Sequence, residues 1–169
     1  MILPPILKWA NWVQGRETVL LLDRIGNAHN LGAIARTAAF FGVRQVVVPD
    51  HPGAARPSDA AFRVAEGGLE HITVWLTKDL ASFAKDLASA GFEVVGAATR
   101  GGRLDAMRRE RNVKPIALVL GNEEQGLAPE TAAACTRLVT LPGSGKVESL
   151  NVSVAAGVLM WELGVRRAQ

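Results

Sequence analysis

Residues 18–42, TVLLLDRIGNAHNLGAIARTAAFFG, hold one full strand–loop–helix unit. Residues 18–25 are apolar almost throughout and rich in branched side chains, the pattern of a strand buried on both faces. A short polar loop follows. Residues 31–41, LGAIARTAAFF, then have helical length and stop at Gly42, a residue suited to a left-handed helix end. The same alternation recurs along the chain. Residues 43–48 (VRQVVV), 72–77 (ITVWLT), 92–99 (FEVVGAAT), 116–121 (IALVLG) and 138–141 (LVTL) read as strands. Residues 78–90, 128–135 and 151–167 read as helices, the first closed by Gly91 and the second opened by Pro129. Strand–helix alternation predicts an α/β fold, a mainly parallel sheet with helices on both faces.

The 169 residues suit one domain. Of these, 49% are hydrophobic and 21% charged, which excludes extended disorder. One Cys excludes a disulfide framework or a Cys-rich zinc module and fits a reducing cytoplasm. No apolar run is long enough to span a bilayer, and the N-terminus has no signal-peptide pattern. A net charge of +3 permits a polyanionic partner without requiring one. Residues 1–16, with Pro4, Pro5, Trp9 and Trp12, fall outside the alternation. They read as an arm packed on the domain or the remnant of a link, leaving residues 17–169 as the domain.

Ligands of parallel α/β sheets bind outside the carboxyl ends of the strands, so the loops there are the first place to look for chemistry. In NAHNLGAIAR, residues 27–36, Asn30 is placed to cap the helix. Arg36 lies between Ala35 and Ala38 and must find an anion or water; a cap and a solvated charge account for both as readily as a site does. In LGNEEQGLAP, residues 120–129, Gly121 permits close approach of a ligand. Glu123 or Glu124 is available to cap the next helix or to accept from a ligand, and an ordinary loop fits equally. In LPGSGKVESLNVS, residues 141–153, Ser149 and Asn151 stand at the mouth of a glycine-rich loop. This is not a nucleotide P-loop, because Gly143-Ser-Gly-Lys146 is followed by Val147, and no G-x-G-x-x-G follows the first strand. Arg100, Arg103, Arg108, Arg109, Arg111 and Lys114 face two acids, Asp105 and Glu110, in residues 100–114. That stretch is a solvated face or a polyanion contact. His29, His51 and His71 lack metal-ligand spacing, and Cys135 has no partner motif.

Together the three loops, N-x-x-N-L-G-A-I-A-R-T-A, L-G-N-E-x-x-G-L and L-P-G-x-G-x-V-E-S-L-N-V-S-V-A-A-G, resemble the three ordered motifs of the SpoU (TrmH) family of RNA ribose 2′-O-methyltransferases, in the SPOUT superfamily. The match spans about residues 18–165. The resemblance implies a parallel α/β domain with a C-terminal deep trefoil knot, S-adenosylmethionine as methyl donor, no metal, a homodimer, and rRNA or tRNA as substrate. It implies catalytic roles for Arg36, Asn30, Glu123, Ser149 and Asn151. A cofactor cradle then falls to Gly121, Leu141 and Leu150, with Ala98 and Thr99 on an earlier strand end. The basic residues Arg100, Arg103, Arg108, Arg109 and Arg111 become RNA contacts beside the first motif. An apolar stripe in the last helix, Val152, Ala155, Ala156, Leu159 and Leu163, is the expected dimer surface, with packing inside one subunit as its competitor. Ala28-His29 stands where the family often has Pro, and Gly143 where it commonly has Met. Many relatives also carry an upstream RNA-binding domain of L30e type, for which residues 1–16 are too short. A non-catalytic RNA-binding protein of the same fold is the alternative; a nucleotide-dependent oxidoreductase lacks its glycine fingerprint.

Overall fold

The computed structural model describes residues 4, 9–15, 17–99, 101–102 and 114–163. Among them are α1 (Ala10–Gln14), β1 (Val19–Leu22), α2 (Ala28–Phe40), β2 (Gln45–Pro49), α3 (Asp59–Ala65), a 3-10 turn (Gly68–Glu70), β3 (Thr73–Thr77), α4 (Leu80–Ser89), β4 (Glu93–Ala97), β5 (Ile116–Leu120), α5 (Pro129–Ala134), β6 (Arg137–Val139) and α6 (Val152–Leu163). The six strands form one sheet in the order β3-β2-β1-β5-β4-β6. Every pairing between neighbours is parallel.

Period-two alternation divides each central strand between two cores. Leu20 and Leu22 of β1, with Ile116, Leu118 and Leu120 of β5, enter a core shared with α2, α3 and α6. Val19 and Leu21, with Ala117 and Val119, enter the opposite core, which is shared with α1, α4 and α5. β5 is buried at all five positions, which is why it reads as an unbroken apolar run. The expected parallel sheet with helices on both faces is therefore present.

Several sequence boundaries shift. The first long helix begins at Ala28 rather than at residue 31, because Asn27 holds an extended backbone (φ −89°, ψ 120°) and its side chain accepts from the His29 N–H. Asn27, not Asn30, is therefore the cap, and Asn30 lies inside the helix with its side chain released for other partners. Asp79 caps α4 by accepting from the Ser82 N–H and hydroxyl, both at 2.9 Å, and these bonds hold its carboxyl below the ordinary Asp range. Residues 51–71 hold a helix and a 3-10 turn that the apolar pattern does not announce; Ser58 caps α3. The N-terminal segment packs on the second core through Trp9 and Trp12, whose rings meet Phe83 and Trp75.

Candidate functional site

The carboxyl ends of β4, β5 and β6 open into a cavity of about 590 Å³, within the range of sites that enclose a drug-sized ligand. Ala98 and Thr99 enter it from the end of β4, Gly121 and Glu123 from the loop after β5, and Leu141, Ser149 and Leu150 from the loop before α6. Positions more than 50 residues apart in sequence thus share one wall. The lining is mostly apolar side chain and loop backbone, a surface that suits a planar heterocycle held by peptide N–H and C=O groups.

The loop after β5 is shaped from within. A Cβ at Gly121 would stand 2.5 Å from the Gly126 carbonyl carbon and 2.6 Å from the Leu127 nitrogen, so only glycine lets the loop fold back on its own stem. Asn122 Oδ1 accepts from the N–H groups of Glu124 (2.9 Å) and Gln125 (3.1 Å), which sets the turn. Two residues that sequence reasoning passed over hold this loop from outside. Arg24 takes a left-handed backbone (φ 56°), donates from Nη2 to the Gly126 carbonyl and from Nη1 to Gln125 Oε1, both at 3.0 Å, and accepts from Asn122 Nδ2 on its own carbonyl at 3.2 Å. Asp23, only 4% exposed, accepts from the Ala128 N–H at 2.6 Å. The signal was visible: two opposite charges ending an otherwise apolar strand.

At the cavity mouth one side chain of α2 links the loop after β5 to the loop before α6. Asn30 Nδ2 donates to Glu123 Oε1, and Asn30 Oδ1 accepts from Asn151 Nδ2 at 3.2 Å. Asn151 Oδ1 in turn accepts from the Ser153 N–H at 2.9 Å and from its hydroxyl at 2.6 Å, a cap at the start of α6. Ser149 shares the rim with Glu123, Glu124, Glu148 and Thr99. Of the ten candidates on described residues, nine therefore fall on the cavity or on the Glu123–Asn30–Asn151 chain at its mouth.

Arg36 stands apart. Six residues beyond Asn30, it lies roughly 9 Å farther along the α2 axis and about a third of a turn around it. It is absent from the cavity lining, its side chain is 57% exposed, and its Nη1 meets Glu66 Oε1 at 2.9 Å. Arg100, Arg103, Arg108, Arg109 and Arg111 lie outside the described residues. At Cys135 burial, aided by the Asp23 charge, pushes the thiol up to about 11, which disfavours the reactive thiolate.

The expected dimer stripe is redistributed. Val152, Ala156, Leu159 and Leu163 are buried in the chain's own core, so the competing explanation holds for them. The opposite face of α6 is also apolar, and it is exposed: Val154 at 51%, Val158 at 40% and Trp161 at 46%.

The family profile described as the SpoU rRNA Methylase family matches residues 17–161. A protein of Nitrosomonas europaea named 23S rRNA (guanosine-2′-O-)-methyltransferase RlmB is 40% identical over 145 residues, 85% of this chain and 54% of its own length. A Synechocystis protein named as an uncharacterised tRNA/rRNA methyltransferase is 37% identical over 86% of this chain and 37% of its own. The chain thus spans about half the length of such curated relatives, from 37% to 65% of each. Among solved structures, the AdoMet-bound rRNA methyltransferase from Sinorhizobium meliloti superposes with a TM-score of 0.78 at 30% identity, over 90% of this chain and 56% of that one.

Proposed function

Because the chain belongs to the SpoU rRNA methylase family, we propose that it transfers the methyl group of S-adenosylmethionine to a ribose 2′-hydroxyl of ribosomal or transfer RNA. The observation that carries this reading is the convergence of three distant loops on one cavity, with Glu123, Asn30 and Asn151 joined at its mouth. The residues present fit the methyl donor: a cavity of about 590 Å³ with a glycine-shaped backbone wall. Ala98, Thr99, Gly121, Leu141 and Leu150 would hold it. When bound, it supplies a methyl group activated by a sulfonium.

Everything else falls to the chain's own groups. Asn30, fixed from two sides, ties the cofactor loops to the helix that bears Arg36. Glu123 and Ser149 line the rim where the ribose enters, and their oxygens receive its hydroxyls. Arg36 lies on the exposed side of the same helix. Guanidinium keeps its proton at neutral pH and matches a phosphate in bidentate geometry, so Arg36 acts as a clamp on a backbone phosphate and on charge developing at the 2′-oxygen.

The same reading carries further assignments. Residues 17–169 form the methyltransferase domain and 1–16 its arm. The C-terminal half is threaded as a deep trefoil knot, supported by family membership and by the sharing of one cavity between the loops after β5 and β6. Two copies associate through the exposed face of α6. The basic stretch at residues 100–111 contacts RNA, and the protein works in the cytoplasm, where its substrates are. No metal takes part.

The test is incubation with methyl-labelled S-adenosylmethionine and either ribosomal or transfer RNA from cells lacking the gene. Label recovered in alkali-resistant dinucleotides is expected, since 2′-O-methylation blocks hydrolysis. Label on a base, or RNA binding without transfer, overturns the reading; the second outcome would favour the non-catalytic RNA-binding alternative.

A further inference from the structure

We propose that Glu66 is a positioning residue for methyl transfer, orienting the Arg36 guanidinium toward the incoming RNA phosphate; this rests on the role assigned to Arg36 above. Three observations meet at Glu66. Its carboxylate Oε1 lies 2.9 Å from Arg36 Nη1. Its backbone is left-handed (φ 43°, ψ 53°) at the C-cap of α3, a conformation that glycine adopts freely and that costs other residues. Two glycines follow. A Cβ on Gly68 would stand 2.7 Å from the Arg36 Cα, so the turn carrying Glu66 is seated directly against α2 at Arg36.

A strained non-glycine residue beside a functional side chain points to a use for the side chain it carries. A capping role alone would be served by glycine. The ion pair is exposed on both sides, at 57% and 63%, so it contributes little to folding. It also engages a single nitrogen. Guanidinium has five N–H donors in a fixed plane, and one carboxylate charge beside Nη1 biases the group toward the turn after α3 while leaving its remaining edge for a phosphate. Glu66 therefore acts through Arg36. Its negative charge on an RNA-facing surface works against RNA affinity, a cost that makes sense if orientation at the reacting phosphate is the gain.

Two readouts test this. In the first, ¹⁵N-arginine spectra, assigned with Arg36→Lys, report rotation of the Arg36 guanidinium. Distinct Nη signals are expected in the wild type and averaged ones in Glu66→Ala. In the second, single-turnover methylation and RNA affinity are measured on the RNA fraction that the wild type modifies. Glu66→Ala is expected to lower the rate about tenfold, the scale of a modest misplacement at a reacting centre, while RNA binds equally or more tightly. Glu66→Gln, which keeps an acceptor, is expected to recover part of the rate. Glu66→Gly relieves the backbone, so it should fold at least as well as the wild type yet react as slowly as Glu66→Ala. An unchanged rate, a rate loss accompanied by weaker RNA binding, or identical Nη spectra overturns the proposal. A wild type that methylates no RNA overturns instead the function assigned to the site, and the spectra still decide whether Glu66 orients Arg36.

Discussion

Asn30 and Arg36 share a helix and a sequence motif, yet the structure gives them different neighbours. Asn30 belongs to the cavity mouth, bonded to Glu123 and Asn151; Arg36 belongs to an exposed face and pairs with Glu66. Arg36→Ala should leave affinity for S-adenosylhomocysteine within about threefold, since no lining contact is lost. It should slow methyl transfer by roughly 10²-fold or more, the scale for losing one charge contact in a transition state. Arg36→Lys should restore little, because an ammonium lacks the planar fork. Calorimetry paired with single-turnover rates checks both, and loss of cofactor binding in Arg36→Ala would contradict the division. Gly121→Ala should fail in the other way. Its Cβ meets backbone atoms of Gly126 and Leu127 at 2.5–2.6 Å, which cannot swing aside as side chains do, so cofactor affinity should fall about tenfold or more as the cavity wall shifts. That Arg36 must find an anion or water was legible in the sequence, and the structure supplies the anion. Its identity was not legible, because Glu66 lies 30 positions away and reaches Arg36 only through a left-handed turn.

At the level of elements, the strands were easy to read because their burial is nearly complete: β1 and β5 show no exposed position. α3 was missed because seven residues with two buried alanines give no periodic apolar signal. α5 shows how local sequence and tertiary context trade roles. Its N-cap residue is Ala128, whose side chain accepts nothing. The acceptor comes instead from Asp23, 105 positions earlier, which takes the Ala128 N–H at 2.6 Å and also places a negative charge at a helix start. Asp23→Ala should therefore destabilise the domain by about 1–3 kcal/mol, the cost of orphaning a buried N–H, read as a lower urea midpoint. The same variant should weaken S-adenosylhomocysteine binding, because the 121–128 loop it anchors walls the cavity. Asp23→Asn, which keeps an acceptor of nearly the same shape, should fall between alanine and wild type in both measurements.

For the whole molecule, the apolar character of the last helix is the feature that one chain does not satisfy. A surface helix normally shows a polar outer face. α6 shows valine and tryptophan there instead, at Val154, Val158 and Trp161, spaced so that they share one side. Trp161 packs on Phe41 with tilted rings 6.2 Å apart, and the Phe41 ring lies 5.2 Å from Phe40, itself 82% exposed. The patch thus continues from α6 onto the end of α2, the helix that carries Arg36. Contiguous exposed apolar surface marks an association site, and a second copy presenting the same patch is its simplest complement. The sequence showed that α6 is apolar but could not say which stripe faces inward, because both faces carry the signal. Light scattering at micromolar concentration should give twice 18.0 kDa. Val158→Glu should raise the dimer dissociation constant about 100-fold or more, as expected for a buried unpaired charge. Ala156→Glu, aimed into the chain's own core, should unfold the domain instead, which separates the two faces of the helix. If the partner helps build the RNA-binding face, the Val158→Glu monomer should lose methyl transfer out of proportion to its loss of cofactor affinity. A Val158→Glu protein that stays dimeric would place the contact on another surface.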